Sequence, residues 1–188
     1  MKKYLLLIAL VLFFSIPCEA QNKVYVAPET SITWTDTGGD ELLDIGGQSA
    51  GAIDMGSFSD LGSGSHAELF NIEVTIDGFD TAPVVGETVD VYLSFSNATT
   101  NFDGNPTTDP TTSAEGTITV AQSKNTMAVG SLTVYSTTAG DELKATFQNV
   151  RITSRYVSVI VHNNTADALL STSDAHKVIL IPSPPEIQ

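Results

Sequence analysis

Alternating apolar and polar residues predict strands along most of the chain after residue 20. The clearest case lies within residues 67–79, where polar positions alternate with Phe70, Ile72, Val74 and Ile76. Because successive side chains of a strand point to opposite faces, this period of two predicts a strand with one face on a core.

A second strand is predicted over residues 84–95 by the same pattern. Its apolar face carries Val89, Val91, Leu93 and Phe95. Since only a short turn-forming segment separates it from the strand at residues 67–79, the two are expected to form a hairpin pair.

The longest β-forming run covers residues 150–162. Every odd position from Val157 to Val161 is valine, which predicts a central strand with one wholly apolar face. Arg151 and Arg155 share a face of an extended chain and would lie about 13 Å apart at a rise of ~3.3 Å per residue. We expect them to anchor carboxylates of neighbouring strands.

Shorter alternating segments bring the expected total to about nine to eleven strands. They lie at residues 23–26, 31–36, 42–45, within 49–64, and at 117–121, 128–135, 143–150 and 176–181. Helical periodicity is absent after residue 20, so the fold class is all-β. This strand spacing, with turn residues between, predicts a single antiparallel two-sheet β-sandwich with jelly-roll connections. The missing internal repeat excludes a β-solenoid.

The first twenty residues form a separate unit. A basic start, an apolar run from Tyr4 to Ile16 and small residues up to Ala20 predict a cleaved signal peptide, followed by the β-sandwich domain at residues 21–188. A retained anchor is the alternative, although Pro17 interrupts the run. Lipidation of Cys18 is disfavoured because Pro17 stands where that signal needs a small residue.

Charge and cysteine content narrow the choice of compartment and partner. The 188-residue chain carries 8 basic and 22 acidic residues, a net charge of −14, and cleavage of the signal would remove two lysines and one glutamate. This excess of carboxylates argues against nucleic acid and anionic membrane as partners, and it suits a soluble extracellular surface or one that binds cations. Cleavage also removes Cys18, the one cysteine, so disulfides would not stabilise the mature protein.

Acidic turns could hold a cation. The longest polar segment, residues 97–116, contains Asp103, Asn105 and Asp109, whose oxygens a calcium ion could use. The spacing does not match an EF-hand loop. A second acidic cluster comprises Asp36, Asp40 and Glu41.

No catalytic residues are predicted. Carboxylates that could serve glycoside hydrolysis in principle are Glu68, Glu73 and Asp90, but nothing distinguishes them from solvated outer-face residues. The histidines lack metal-ligand spacing and are expected to be exposed at strand ends; they are His66, His162 and His176.

Aromatic residues offer stacking platforms for a sugar. Trp34 is in phase with Ile32, which favours core packing over sugar stacking. The residues that could stack on a glycan are Trp34, Tyr92, Tyr135 and Tyr156. The sequence Asn163-Asn164-Thr165 matches the N-glycosylation acceptor pattern.

Several segments of the sequence resemble a group of little-characterised virion structural proteins of tailed bacteriophages. They are residues 40–46, 60–64, 79–92, 155–158 and 162–169, and the final Pro-Glu-Ile-Gln. The resemblance covers most of the chain from about residue 24 to 188 and implies a non-enzymatic β-sandwich subunit, such as a head decoration or tail component. Such subunits need no signal peptide, so a subunit of a secreted or cell-surface filament is a rival interpretation.

Two functions follow as hypotheses. The first is a non-enzymatic structural subunit of a virion or extracellular particle, which associates with itself or with other structural subunits. The alternative is a secreted carbohydrate-binding or adhesive module whose partner is a surface glycan, with no cofactor other than calcium. A hydrolase on the same scaffold is the least favoured.

Overall fold

The computed structural model describes residues 30–37, 39–62, 67–96, 126–172 and 175–183. Within these ranges it contains ten strands and no helix, and therefore no helix that could cross a membrane. The strands are β1 (Ile32–Thr35), β2 (Glu41–Leu42), β3 (Ile53–Met55), β4 (Ser59–Asp60), β5 (Leu69–Ile76), β6 (Thr88–Ser96), β7 (Thr126–Thr133), β8 (Leu143–Arg151), β9 (Tyr156–Asn164) and β10 (Lys177–Pro182).

The strands form two sheets. Sheet A has the order β2-β1-β10-β5-β8, and sheet B has the order β3-β9-β6-β7, with β4 also pairing with β9. All pairs are antiparallel except β1 with β2, which is parallel. The all-β, two-sheet architecture predicted from the sequence is confirmed.

The strand pairs are nested as in a jelly roll. β1 pairs with β10, β3 and β4 pair with β9, β5 pairs with β8, and β6 pairs with β7. Folding this nest over places β1, β10, β5 and β8 in one sheet, with β2 added at its edge, and β3, β4, β9, β6 and β7 in the second sheet, as observed. The jelly-roll connections are thereby confirmed.

The core lies between the two sheets and follows the period of two seen in the sequence. Alternate residues of β5 and β6 are fully buried, and Val157, Val159 and Val161 of β9 face the same core. The largest buried side chains include Trp34, Phe70, Phe79, Ile72, Leu93 and Leu180.

The run at residues 150–162 is not one strand. β8 ends at Arg151 in sheet A and β9 begins at Tyr156 in sheet B, so the four residues between them cross from one sheet to the other. Ile152 is buried in this crossing, and its backbone N–H donates to the Glu68 carbonyl at 2.8 Å. The predicted central strand with one face on the core is confirmed for β9, which lies between β3 and β6, but it does not extend back to Val150. Arg151 ends β8 and Arg155 precedes β9, so the expectation that they share a face of one strand was wrong.

The expected hairpin between β5 and β6 was also wrong. The two strands lie in different sheets, and the segment between them crosses the end of the sandwich. Phe79 is buried in this segment and forms an isolated bridge with Leu169. The predicted strand at residues 84–95 starts at Thr88, because Val84 to Glu87 form a turn.

Smaller differences concern the beginning of the chain. The strand expected at residues 42–45 is the two-residue β2, followed by buried Leu43 and Ile45. The strands predicted at residues 23–26 and 117–121 lie outside the described residues.

Candidate functional site

Trp34 is a core residue. Its side chain is 0% exposed, and its indole Nε1 donates to the Ser57 carbonyl at 3.0 Å. The ring packs from β1 against the core with half-buried Ile32, its neighbour in phase. A ring with no exposed face cannot stack on a sugar, so the stacking interpretation does not fit Trp34.

The tyrosines differ in their exposure. Tyr156 is buried, and the Arg155 guanidinium lies 4.8 Å from the centre of its ring. Tyr92 is half-buried on sheet B, where burial, and then the nearby Asp90 carboxylate, raise its pKa. Tyr135 is 66% exposed, so of the four aromatic residues named above it presents the most open ring.

The acidic clusters have structural partners where the structure describes them. Asp36 accepts from the Ile45 N–H and Asp40 from the Thr33 N–H, while Glu41 accepts from the Ser57 hydroxyl. The described ranges contain no group of three metal-ligating side chains. The calcium ligands predicted from the sequence lie outside them, so that site stays a prediction; they are Asp103, Asn105 and Asp109.

The histidines do not converge. His66 lies outside the described residues. His162 is half-buried, with its Nδ1 3.9 Å from the Asp90 carboxylate. His176 is fully buried, which corrects the expectation of an exposed strand end. Its Nδ1 accepts from the Asp77 N–H, and its Nε2 lies 2.6 Å from the Leu170 carbonyl, so both ring nitrogens take part in structural hydrogen bonds.

The carboxylates considered for glycoside hydrolysis lie on different surfaces. Glu68 lies directly before β5 and forms an ion pair with Arg151. Glu73 lies on the outer face of sheet A, and Asp90 lies on sheet B. Glu73 and Asp90 therefore cannot flank one glycosidic bond.

Three exposed apolar side chains occur at one end of the sandwich. Within the described ranges, the large hydrophobic residues that are exposed are Val84, Val85 and Tyr135, at 54%, 55% and 66%. We call these three residues the apolar tip. Single exposed apolar residues are common on protein surfaces, but a group of them indicates an interaction site.

A backbone turn exposes the side chains of Val84 and Val85. The Glu87 N–H donates to the Val84 carbonyl at 3.3 Å, which closes a four-residue turn with Val85 and Gly86 in the middle. Gly86 has a φ of 97°, a left-handed conformation that other residues rarely adopt. Turn tips are usually polar, so two valines at this position need a reason other than turn formation.

Backbone hydrogen bonds fix the turn against the connection that carries Tyr135. The Gly86 N–H donates to the Val134 carbonyl at 2.9 Å, and the Val134 N–H donates to the Glu87 carbonyl at 2.9 Å. The tyrosine hydroxyl donates to the Glu142 carbonyl at 3.2 Å. The three apolar side chains are therefore held on a preformed surface.

A second hydrogen bond joins the same two connections, the one between β5 and β6 and the one between β7 and β8. The Phe79 N–H donates to the Ala139 carbonyl at 2.7 Å. At Gly78, with a φ of 108°, an added Cβ would lie 2.5 Å from that carbonyl oxygen. The apolar tip thus rests on backbone that is ordered before any partner binds, which lowers the entropic cost of association.

Sequence analysis named Tyr135 as a residue that could stack on a glycan, but it missed the exposure of the two valines, which it placed on a strand. The signal that could have found them was the glycine at position 86, directly after two valines and before the regular alternation of β6. A glycine inside an apparent strand indicates a bend in the backbone rather than a regular strand interior.

The fold is a jelly roll with three exposed apolar side chains at one end, on backbone that is held by hydrogen bonds. No protein-family model matches the chain, and no curated protein is similar to it.

Proposed function

We propose that the chain is a non-enzymatic structural subunit of a virion or extracellular particle, and that it works by self-association. The observation that carries this proposal is the apolar tip, whose three residues are the exposed large hydrophobic residues of the described ranges and lie on two connections joined by backbone hydrogen bonds. A tyrosine beside aliphatic side chains is typical of the energetically important centre of a protein interface.

The resemblance to bacteriophage virion structural proteins supports the same function. A jelly roll is a common scaffold for capsid subunits. The signal peptide predicted from residues 1–20 supports a secreted or cell-surface particle as the alternative location.

Light scattering on the purified protein over a wide concentration range tests the proposal, with and without calcium. We expect a defined oligomer or larger species, and electron microscopy of that species should show a ring, filament or shell fragment. A monomer at every concentration would contradict self-association.

The Val85→Asp variant tests whether the apolar tip forms the interface. A charge at the centre of an apolar contact should weaken association by tenfold or more, about 1.4 kcal/mol. The matched control is Thr153→Asp, which adds the same charge at an exposed position beyond the far end of β8. The nine residues of β8 separate the two ends by roughly 30 Å at ~3.3 Å per residue. Equal effects of both substitutions would show that the interface is elsewhere.

A further inference from the structure

One flank of the sandwich, where sheet A ends in β8 and sheet B ends in β7, presents two edge strands. Among the described residues, β8 pairs with β5 alone and β7 pairs with β6 alone. The contact between Gly130 and Phe147 joins the two sheets at this flank. The outer backbone groups of an edge strand are a template for pairing with a further strand.

Apolar side chains are only partly covered along this flank. Of the eight partly buried hydrophobic residues that pack against the core in the described ranges, five belong to β7 and β8. They are Met127, Val129, Ala145, Phe147 and Val150. The flank therefore combines edge backbone with apolar surface, and an added strand would cover both.

The regular part of the β8 edge is short. β8 pairs in register with β5 from Leu143 to Phe147, and a bulge follows in which Asn149 has a φ of 57°. In the regular part Ala145 and Phe147 pack against the core, and the residues between them are exposed. A second β8 could pair only over this part, and that pairing would hold two rigid, strongly acidic molecules side by side.

The sequence before β1 supplies a strand that matches this edge. Residues 23–26 are Lys-Val-Tyr-Val, an alternating segment that predicts a strand ending before Pro28. Val24 and Val26 share one face, so on the β8 edge they would lie on the core side. The predicted strand and the regular edge therefore agree in length and in apolar face.

Charge and proline content favour this segment over the other end of the chain. Residues 21–28 include Lys23 and no acidic residue, so the segment is basic in a chain with a net charge of −14. It is therefore a part of the chain that a second acidic copy does not repel. The residues after β10 are a poorer strand, because Pro184 and Pro185 lack the N–H that a ladder needs.

The segment fits a neighbouring copy better than its own molecule. In sheet A, β10 and β5 lie between β1 and β8, so a strand added beyond β8 would lie four strand spacings from β1, roughly 19 Å. The chain from Val26 to Ile32 spans at most about 20–22 Å when it is fully extended. A segment from another copy has no such limit.

We propose that residues 22–27 of one copy add as a strand to the β8 edge of the next copy. This inference rests on the self-association proposed above and gives it a contact separate from the apolar tip. Donor and acceptor are different parts of the chain, so the contact is head-to-tail. Contacts of this kind repeat into rings or filaments.

Fluorescence anisotropy with a labelled peptide of residues 21–28 tests the acceptor edge. The Val26→Asp protein, whose own donor segment is disabled, should bind this peptide saturably. A Val26→Asp peptide should bind at least tenfold more weakly, because its charge would enter the apolar side. The matched Tyr25→Asp peptide carries the same charge on the opposite face and should bind within about threefold of the unchanged peptide.

Hydrogen exchange locates the bound peptide. Amides in residues 143–147 should exchange more slowly when the peptide is bound, and those of the apolar tip should not change. Protection confined to residues outside β8 would overturn the proposal, as would a peptide that does not bind or binds equally well with either aspartate.

Light scattering on the full-length variants tests the donor. Val26→Asp should weaken self-association at least tenfold and Tyr25→Asp less than about threefold, and thermal melts show whether both remain folded. If Val85→Asp weakens association and Val26→Asp does not, the donor strand is refuted while self-association through the apolar tip stands. A wild-type protein that is monomeric at every concentration overturns both proposals, even if the peptide binds to β8.

Discussion

Asp60 and Arg155 join β4 to the start of β9 through a bidentate ion pair. The Arg155 Nε and Nη2 atoms donate to the two carboxylate oxygens at 2.8 and 2.7 Å. Hydrogen bonding from Arg155 is the largest cause that lowers the Asp60 pKa from 3.8 to about 2. The sequence predicted that both arginines anchor carboxylates, and Arg151 with Glu68 is the second such pair.

This pair gives the stability of the protein a defined pH dependence. A lowered pKa means that the folded state favours the charged carboxylate, so the stabilisation is fully present above pH 3.8 and is lost as the pH falls towards about 2. The effect is small because both side chains are 43% exposed to solvent. Urea unfolding of wild type and Asp60→Asn should differ at neutral pH and converge near pH 2. A difference that persists at pH 2 would contradict this assignment.

Asn163 is a buried hub between two connections and β9. Its Nδ2 donates to the carbonyls of Gln48, Ser49 and Asp167, and its Oδ1 accepts from Thr165. The side chain is 0% exposed, so in the folded protein Asn163 cannot serve as the glycosylation acceptor that its sequence pattern suggests.

Replacing Asn163 with alanine should lower the free energy of unfolding by about 2–4 kcal/mol, because buried carbonyls lose their donor. The neighbouring Asn164→Ala is the matched control. Its side chain is exposed and makes one long contact, 3.4 Å to the Thr88 hydroxyl, so we expect a change within about 0.5 kcal/mol. Chemical denaturation measures both. Similar losses in the two variants would refute the role of Asn163 as a hub.

At the scale of the elements, the contact between β7 and β8 requires a glycine, which has no side chain to obstruct it. Gly130 of β7 lies under the ring of Phe147 of β8, and an added Cβ would be 2.2 Å from the ring Cε1. The two strands belong to different sheets, so this contact closes the sandwich along one side.

Gly130→Ala should therefore destabilise the protein by about 1–3 kcal/mol, since the ring must leave its place. Adding Phe147→Leu should recover part of this loss, because the smaller side chain can move away from the new methyl group. Gly140→Ala is the control, since an added Cβ there meets nothing within 4 Å and its φ is not positive. Thermal unfolding of wild type, these three variants and the Phe147→Leu single variant forms the test, and additive losses in the double variant would exclude the proposed clash.

At the scale of the whole molecule, charge opposes the proposed self-association. Each copy carries a net charge of −14, while the apolar tip has no charged side chain. Screening by salt should weaken the repulsion between copies and leave the apolar contact intact.

Self-association should accordingly strengthen as sodium chloride rises from low to physiological concentration. Sedimentation equilibrium measures the dissociation constant at each salt concentration, and we expect it to fall severalfold. Val85→Asp should associate more weakly than wild type at every salt concentration. A dissociation constant that rises with salt would instead indicate an interface made of ion pairs.

The sequence by itself determined the fold class, the strand faces and most of the core. Phe70, Ile72 and Val74 of β5 are buried as predicted, because a period of two in the sequence is a direct property of an extended chain. Trp34 could be assigned to the core for the same reason.

Only the tertiary structure decided which strands are neighbours and which surfaces remain open. Alternation shows which face of a strand is apolar, but not which strand lies beside it, so β5 and β6 could be taken as a hairpin although they lie in opposite sheets. The apolar tip combines Val84 and Val85 with Tyr135, which lies far from them along the chain. Long-range strand pairing brings those residues together, and no local pattern in the sequence encodes that pairing.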